Sequence, residues 1–164
     1  MAEQRQADAP DKITVLIVDD HPLFREGLSK VFSLEDDIRV IGEEADGEKA
    51  LHLVRDLQPN VLVIDINIPS MNGLQVTRQI KADRIDCAVI MLTAYHDQEQ
   101  VLHAMRAGAS AYFPKDVEPG RLVEVVRQVM QGFYVIGDQL FDETGLHTWL
   151  DAGVEAATGP YMVD

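Results

Sequence analysis

The sequence predicts an α/β domain built on a parallel, doubly wound open sheet of five strands with five helices. Three observations predict it. The apolar runs VLIV at 15–18, VLVI at 61–64 and AVIML at 88–92 are rich in β-branched residues and do not alternate with polar ones. That is the pattern of strands covered on both faces by helices. Stripes of helical period fill the gaps between these runs. Five strand–helix units in about 120 residues are also too few for an eight-fold barrel, which leaves the open sheet.

The first strand starts near Ile13, after the polar leader MAEQRQADAPDK at 1–12, which reads as disordered. Phe24, Leu28 and Val31 then form a helical stripe. Asp20-His21-Pro22 ahead of it offers a capping carboxylate before a proline suited to an early helical position. IRVIGEEA at 38–45 is short and partly polar, as an edge strand tends to be. Asp46-Gly47 opens a second helix with the stripe Ala50, Leu53, Val54 and Leu57. After the strand at 61–64, the segment around Leu74, Val76 and Ile80 has a weak pattern. It is assigned as a helix because parallel strands need a crossover. The strand at 88–92 leads to a faint stripe of Val101 and Met105. SAYF at 110–113 is a second edge candidate. Glu118-Pro119 then opens the cleanest amphipathic face, formed by Leu122, Val125, Val126, Val129 and Met130. Beyond Phe133-Tyr134-Val135-Ile136 the pattern loosens. Residues 133–164 read as an extension or linker. A short helix is expected there, whose Leu140, Phe141, Leu146, Trp149 and Leu150 pack back onto the domain.

Composition narrows the function. The chain has 164 residues, 46% of them apolar, enough for one domain with a full core. No apolar run approaches the roughly 18–20 residues that cross a bilayer, and the N-terminus lacks a secretion signal, so a cytoplasmic protein is expected. The formal net charge of −14 supplies no basic face for nucleic acid. The single cysteine, Cys87, opens an apolar run and reads as buried filler.

The sheet turns scattered polar residues into one site. Asp19 and Asp20 end the first apolar run, Asp65 ends the third strand, Thr93 the fourth, and Lys115 follows the fifth. In a parallel sheet these ends share one edge, where open sheets bind ligands. Taken singly, each has an ordinary explanation: a helix cap, a satisfied hydroxyl, a solvated charge. Their joint order along the strands points to a crevice. Two ionised carboxylates about 4 Å apart repel by roughly 4 kcal/mol at an effective dielectric near 20. They must take up a proton or recruit a cation. One lysine does not neutralise three carboxylates, whereas a hard divalent ion with oxygen ligands, Mg²⁺, does. A carboxylate on such an ion, with a lysine and a hydroxyl aimed at the same space, suits phosphoryl transfer onto the carboxylate. As a residue at the sheet's edge, Lys115 is expected to contribute little to stability.

The stretches VLIVDDHPLFREGL, VLVIDINIPSMNGLQV, VIMLTA and GASAYFPKD resemble the response-regulator receiver domain of two-component systems. The first and last are most similar to its NarL/FixJ-type subfamily, and the resemblance covers about residues 13–132. It implies a flavodoxin-like strand order, 2-1-3-4-5. It implies that Asp65 takes a phosphoryl group from the phosphohistidine of a sensor histidine kinase or from a small phosphodonor. By the same resemblance, Asp20, Asp65 and the main-chain carbonyl of Asn67 bind Mg²⁺, with Asp19 acting through water, and Lys115 pairs with the phosphoryl group. Thr93 moves to bond a phosphoryl oxygen, and Tyr112 swings inward behind it, reshaping the surface of the fourth helix, fifth strand and fifth helix. Pro69 and Gly73 shape the loop after Asp65. Asn67 and Tyr95 sit where the family sets the rate of dephosphorylation. His21 and His96 match no family position and are not expected to take part. Asp116 after the lysine is a mild departure, and Pro114 before it is a less usual one that bends the strand end.

A signalling switch rather than a turnover enzyme is expected, phosphorylating itself and slowly losing the group. Its output is expected to be transcription, through a helix-turn-helix domain that this chain has no room for, so it does not itself contact DNA. A homodimer is a further partner the resemblance allows. A stand-alone receiver acting by protein–protein contact is the alternative. An aspartate-nucleophile Mg²⁺ phosphatase would carry Asp-x-Asp, but Ile66 and Asn67 follow Asp65. A docking module that is never phosphorylated would lack an acidic, Thr or Lys position, and none is lacking.

Overall fold

In the computed structural model the described residues are 12–94 and 97–156. The chain runs β1 (Ile13–Val18), α1 (Pro22–Ser33), β2 (Ile38–Glu44), α2 (Gly47–Leu57), β3 (Val61–Asp65), α3 (Gly73–Ala82) and β4 (Ala88–Thr93). It continues through α4 (Gln98–Ala107), β5 (Ala111–Pro114), α5 (Pro119–Met130), β6 (Tyr134–Ile136), β7 (Gln139–Phe141) and α6 (Glu143–Ala156). The sheet order is β2-β1-β3-β4-β5-β6-β7, so the expected 2-1-3-4-5 core is present and two strands extend it. All neighbours are parallel except β6 and β7.

Alternation along the buried strands divides the core in two. Val15, Ile17, Val61, Val63, Ile90 and Leu92 face α1 and α5. Leu16, Val18, Leu62, Ile64, Val89, Met91 and Tyr112 face α2, α3, α4 and α6. Apolar residues on both faces of each strand are what the unalternating runs required.

The structure corrects several expectations. The segment 110–113 is not an edge: Ala111 and Tyr112 pair with Val135 and Ile136 of β6. The true edges are β2, as expected, and the antiparallel β7. Beyond residue 132 the chain adds two strands and a 14-residue helix rather than one short helix. Strands of three residues are too short to carry a readable period, so the pattern looked loose. In α6, Leu146 is buried, and the Trp149 ring lies 6.1 Å from that of Phe141, tilted by 50°. Leu140, expected as a contact, is exposed. Leu57 and Met130 are also exposed, each in the last turn of its helix. Asp46 caps α2 by accepting the Lys49 amide, but Asp20 does not cap α1, whose N-cap is His21 without a side-chain bond. The α3 segment, weak by pattern, is fixed by a full capping box between Asn72 and Gln75. Cys87 is buried as expected, and burial pushes its thiol up to about 12.

Candidate functional site

Register brings the strand ends level. Val18 pairs with Ile64, Asp65 with Leu92, and Thr93 with Pro114. Asp19 therefore emerges beside Asp65, and Lys115, whose amide donates to the Thr93 carbonyl at 2.8 Å, emerges beside both.

Asp19 and Asp65 are 1% and 2% exposed, unusually deep for carboxylates, and one ammonium serves both. Lys115 Nζ lies 2.7 Å from Asp19 Oδ2 and 3.2 Å from Asp65 Oδ2. Its bond to Asp65 is a hydrogen bond. The approach to Asp19 is off the bonding direction, so Asp19 Oδ2 is buried yet accepts no hydrogen bond. Asp19 Oδ1 accepts the His21 amide at 2.7 Å, and Asp65 Oδ1 accepts the Asn67 amide at 3.1 Å. Burial raises the Asp65 carboxyl above the usual carboxylate range, and the nearby Asp19 charge adds to this. The Asn67 amide and the Lys115 charge oppose the shift without cancelling it.

The loop after Asp65 is held by backbone. The Gly73 amide donates to the Ile66 carbonyl at 2.7 Å, and a Cβ on Gly73 would stand 2.7 Å from the Asp65 carbonyl oxygen. The Gly47 and Met71 amides both donate to the Pro69 carbonyl. Ser70, at φ 68°, carries the left-handed turn between them.

Asp19, Asp20, His21 and Asp65 each present a ligand atom, all within 4.8 Å of one another. The carboxylate oxygens suit a hard cation, and the Asp19 Oδ2 that accepts no hydrogen bond is the kind of atom such a cation satisfies. Asp20 is exposed at the mouth, as is Asn67 in the loop after Asp65.

Thr93 lies one strand further on and Tyr112 two, both buried. In this structure the Tyr112 side chain is already turned inward. It is 1% exposed beneath α6, because β6 and α6 close the flank that a five-strand sheet leaves open. Thr93 Oγ1 and Tyr112 Oη each donate to Gln100 Oε1 of α4, at 3.2 and 3.3 Å.

Three residues at this edge escaped the sequence reading. The His21 ring, set aside above, puts Nδ1 3.0 Å from Asp19 Oδ1, 3.3 Å from Asp20 Oδ1 and 2.9 Å from Lys115 Nζ. Phe24, read as core, lays its ring 4.5 Å below the Lys115 ammonium. Gln100 carried no signal at all. Tyr95 and His96 lie outside the described residues.

Fold and site together define a receiver module. The chain matches the response regulator receiver domain family over residues 15–127 and belongs to that family. It is 38% identical over 122 residues to the transcriptional regulatory protein DegU of Brevibacillus brevis, covering 74% of this chain and 52% of that one. It is 32% identical over 127 residues to the nitrate/nitrite response regulator protein NarL of Escherichia coli K12, covering 77% and 59%. The chain thus spans roughly half to three fifths of the length of these curated relatives. Among solved structures it resembles the signal receiver domain of the putative response regulator NarL from Mycobacterium tuberculosis, with a TM-score of 0.73 and 33% identity over 75% of this chain and 99% of that one. It also resembles the chain solved as a CheX-CheY-BeF3-Mg²⁺ complex from Borrelia burgdorferi, with a TM-score of 0.69 and 25% identity over 75% and 92%. No helix among the described residues is long and apolar enough to cross a membrane.

Proposed function

We propose that the chain is a phosphorylation switch in which Asp65 is the acceptor. The carrying observation is the pair of buried carboxylates, Asp19 and Asp65, that share the single ammonium of Lys115 at the sheet edge. Such a cluster is under-compensated and gains from positive charge. Asp20, Asp65 and the Asn67 carbonyl, with Asp19 behind them, would hold Mg²⁺, which when bound supplies counter-charge to phosphoryl oxygens. An Asp65 carboxylate oxygen attacks phosphorus in line. The P–N bond of a kinase phosphohistidine breaks, and the imidazole leaves carrying the electron pair and takes up a proton. With acetyl phosphate the P–O bond breaks instead, and acetate leaves. Lys115, already 3.2 Å from Asp65, stays as the ion-pair partner of the new phosphoryl group. Thr93 turns its hydroxyl toward a phosphoryl oxygen, and Tyr112 follows that movement. A charge event at Asp65 thereby reaches α4 and the surface built on it.

The relatives' names as transcription and nitrate/nitrite regulators support control of transcription as the output. Membership of the response regulator receiver family supports a sensor histidine kinase as donor. The net charge of −14 supports an output delivered by protein contact from this module rather than by its own grip on DNA. The experiment is incubation with acetyl phosphate and Mg²⁺, followed by intact-mass measurement. A base-labile gain of one phosphoryl group that Asp65→Asn abolishes is the expected result. Steady turnover of a phosphoester would favour a phosphatase, and no adduct under any condition would favour a docking module.

A further inference from the structure

We infer that Gln100 is a positioning residue of the switch: its side-chain oxygen holds the Thr93 hydroxyl in the resting state and so competes with the phosphoryl group for it. The inference rests on the reading of Asp65 as acceptor and of Thr93 as the group that follows the phosphoryl oxygen.

A threonine hydroxyl has one proton to donate. In this structure Gln100 Oε1 stands 3.2 Å from the hydroxyl as an acceptor for it. The same oxygen takes the Tyr112 hydroxyl at 3.3 Å, so one acceptor serves two buried hydroxyls. This shared acceptor joins β4, β5 and α4 at one point. Gln100 is held in place from its own backbone, since its amide donates to the Asp97 side chain that caps α4, at 2.7 Å. A preset acceptor costs little to engage, so the resting bond is a real competitor to a phosphoryl oxygen.

Breaking this junction also has a mechanical consequence. Gln100 sits one residue before Val101, which with Ala104 and Met105 packs against the sheet. On the outer side, α4 meets α6 closely: a Cβ on Gly153 would stand 2.7 Å from Leu102 Cδ2. Trp149 of α6 lines a hollow of about 220 Å³ together with Val101, Tyr112 and Gln98. Release of Thr93 from Gln100 is thus felt at the chain's single tryptophan.

The test titrates beryllofluoride, with Mg²⁺ present, into the whole chain, reading ¹⁹F resonance of the bound fluoride and Trp149 emission. Gln100→Ala removes the competing acceptor and should tighten the half-saturating concentration about fivefold, the worth of one neutral hydrogen bond. Gln100→Glu offers a stronger, charged acceptor and should weaken it by a similar factor or more. In a Thr93→Ala background the Gln100→Ala effect should vanish, because no hydroxyl remains to compete for. A residue that merely braces α4 would instead shift melting temperature and leave the titration alone, or act equally with and without Thr93. Unchanged or weaker binding by Gln100→Ala overturns the inference, as does an effect that persists without Thr93. Should the Ala variant fold poorly, Gln100→Glu decides alone, and tighter binding by it is equally fatal. Failure of the wild-type chain to bind beryllofluoride at all sinks the acceptor reading itself, a result distinct from any of these.

Discussion

At the scale of single residues, Lys115 decides the most. Its side chain is 13% exposed and touches two buried carboxylates and the Phe24 ring, so it is not the edge lysine of small consequence that strand order suggested. Removing one partner of a buried ion pair leaves uncompensated charge. Lys115→Ala is expected to lower metal-free stability by about 3 kcal/mol in urea unfolding, with part of the loss restored by millimolar Mg²⁺. An equal loss with and without Mg²⁺ would contradict the shared-charge account. Asp65 gives the reverse expectation. Its ionised form is disfavoured in the fold, chiefly by burial. The isosteric Asp65→Asn should therefore melt at the same or a higher temperature than wild type in chelator. Mg²⁺ should raise the wild-type midpoint more than the variant's, as thermal unfolding will show. Most of these residues were legible from their types at strand ends. His21, Phe24 and Gln100 were not, because a histidine, a stripe phenylalanine and a helix glutamine gain meaning only from what folds beside them.

At the scale of elements, one joint sets the site and another braces the far end of the fold. Gly73 opens α3 so close beneath Asp65 that any Cβ meets backbone at 2.7 and 2.8 Å. Gly73→Ala should cost about 1–3 kcal/mol and slow phosphorylation of Asp65 by acetyl phosphate, since backbone rather than a yielding side chain must move. The second joint lies away from the site: Arg127 of α5 bonds Asp37 through two nitrogens and Glu35 through one, tying α5 to the turn between α1 and β2. The Arg127 guanidinium holds the Asp37 carboxyl below its ordinary value of 3.8. A carboxyl depressed in the fold contributes stability that is present above its unfolded pKa and is lost as pH falls through the lower folded value. Asp37→Asn should therefore be less stable than wild type near neutral pH, by less than about 1 kcal/mol because both partners are part-exposed. The difference should close in denaturant titrations taken below pH 3.8. Strands β1, β3 and β4 and the helices α1, α2 and α5 were readable from apolar runs or stripes long enough to show their period, whereas α3 and α4 followed chiefly from the crossovers that parallel strands need. Strands β6 and β7 were not readable, at three residues each, and the helix after them was underestimated because its buried face reduces to Leu146 with part-buried Trp149 and Leu150.

For the molecule as a whole, the added hairpin and α6 change what the fifth strand is. Pairing with β6 and cover from α6 convert Tyr112 from an edge residue into a core one, 1% exposed, with burial pushing its hydroxyl up to about 12. Leu146→Ala, which opens this cover at a 5%-exposed contact, should cost about 2–3 kcal/mol by chemical unfolding. The consequence reaches chemical labelling. Reagents that nitrate phenols attack the phenolate and need to reach the ring, and Tyr112 denies them on both counts while the lid is shut. Its rate of nitration, read site by site against the chain's other three tyrosines, should then time how often this flank opens, with no partner and no added label.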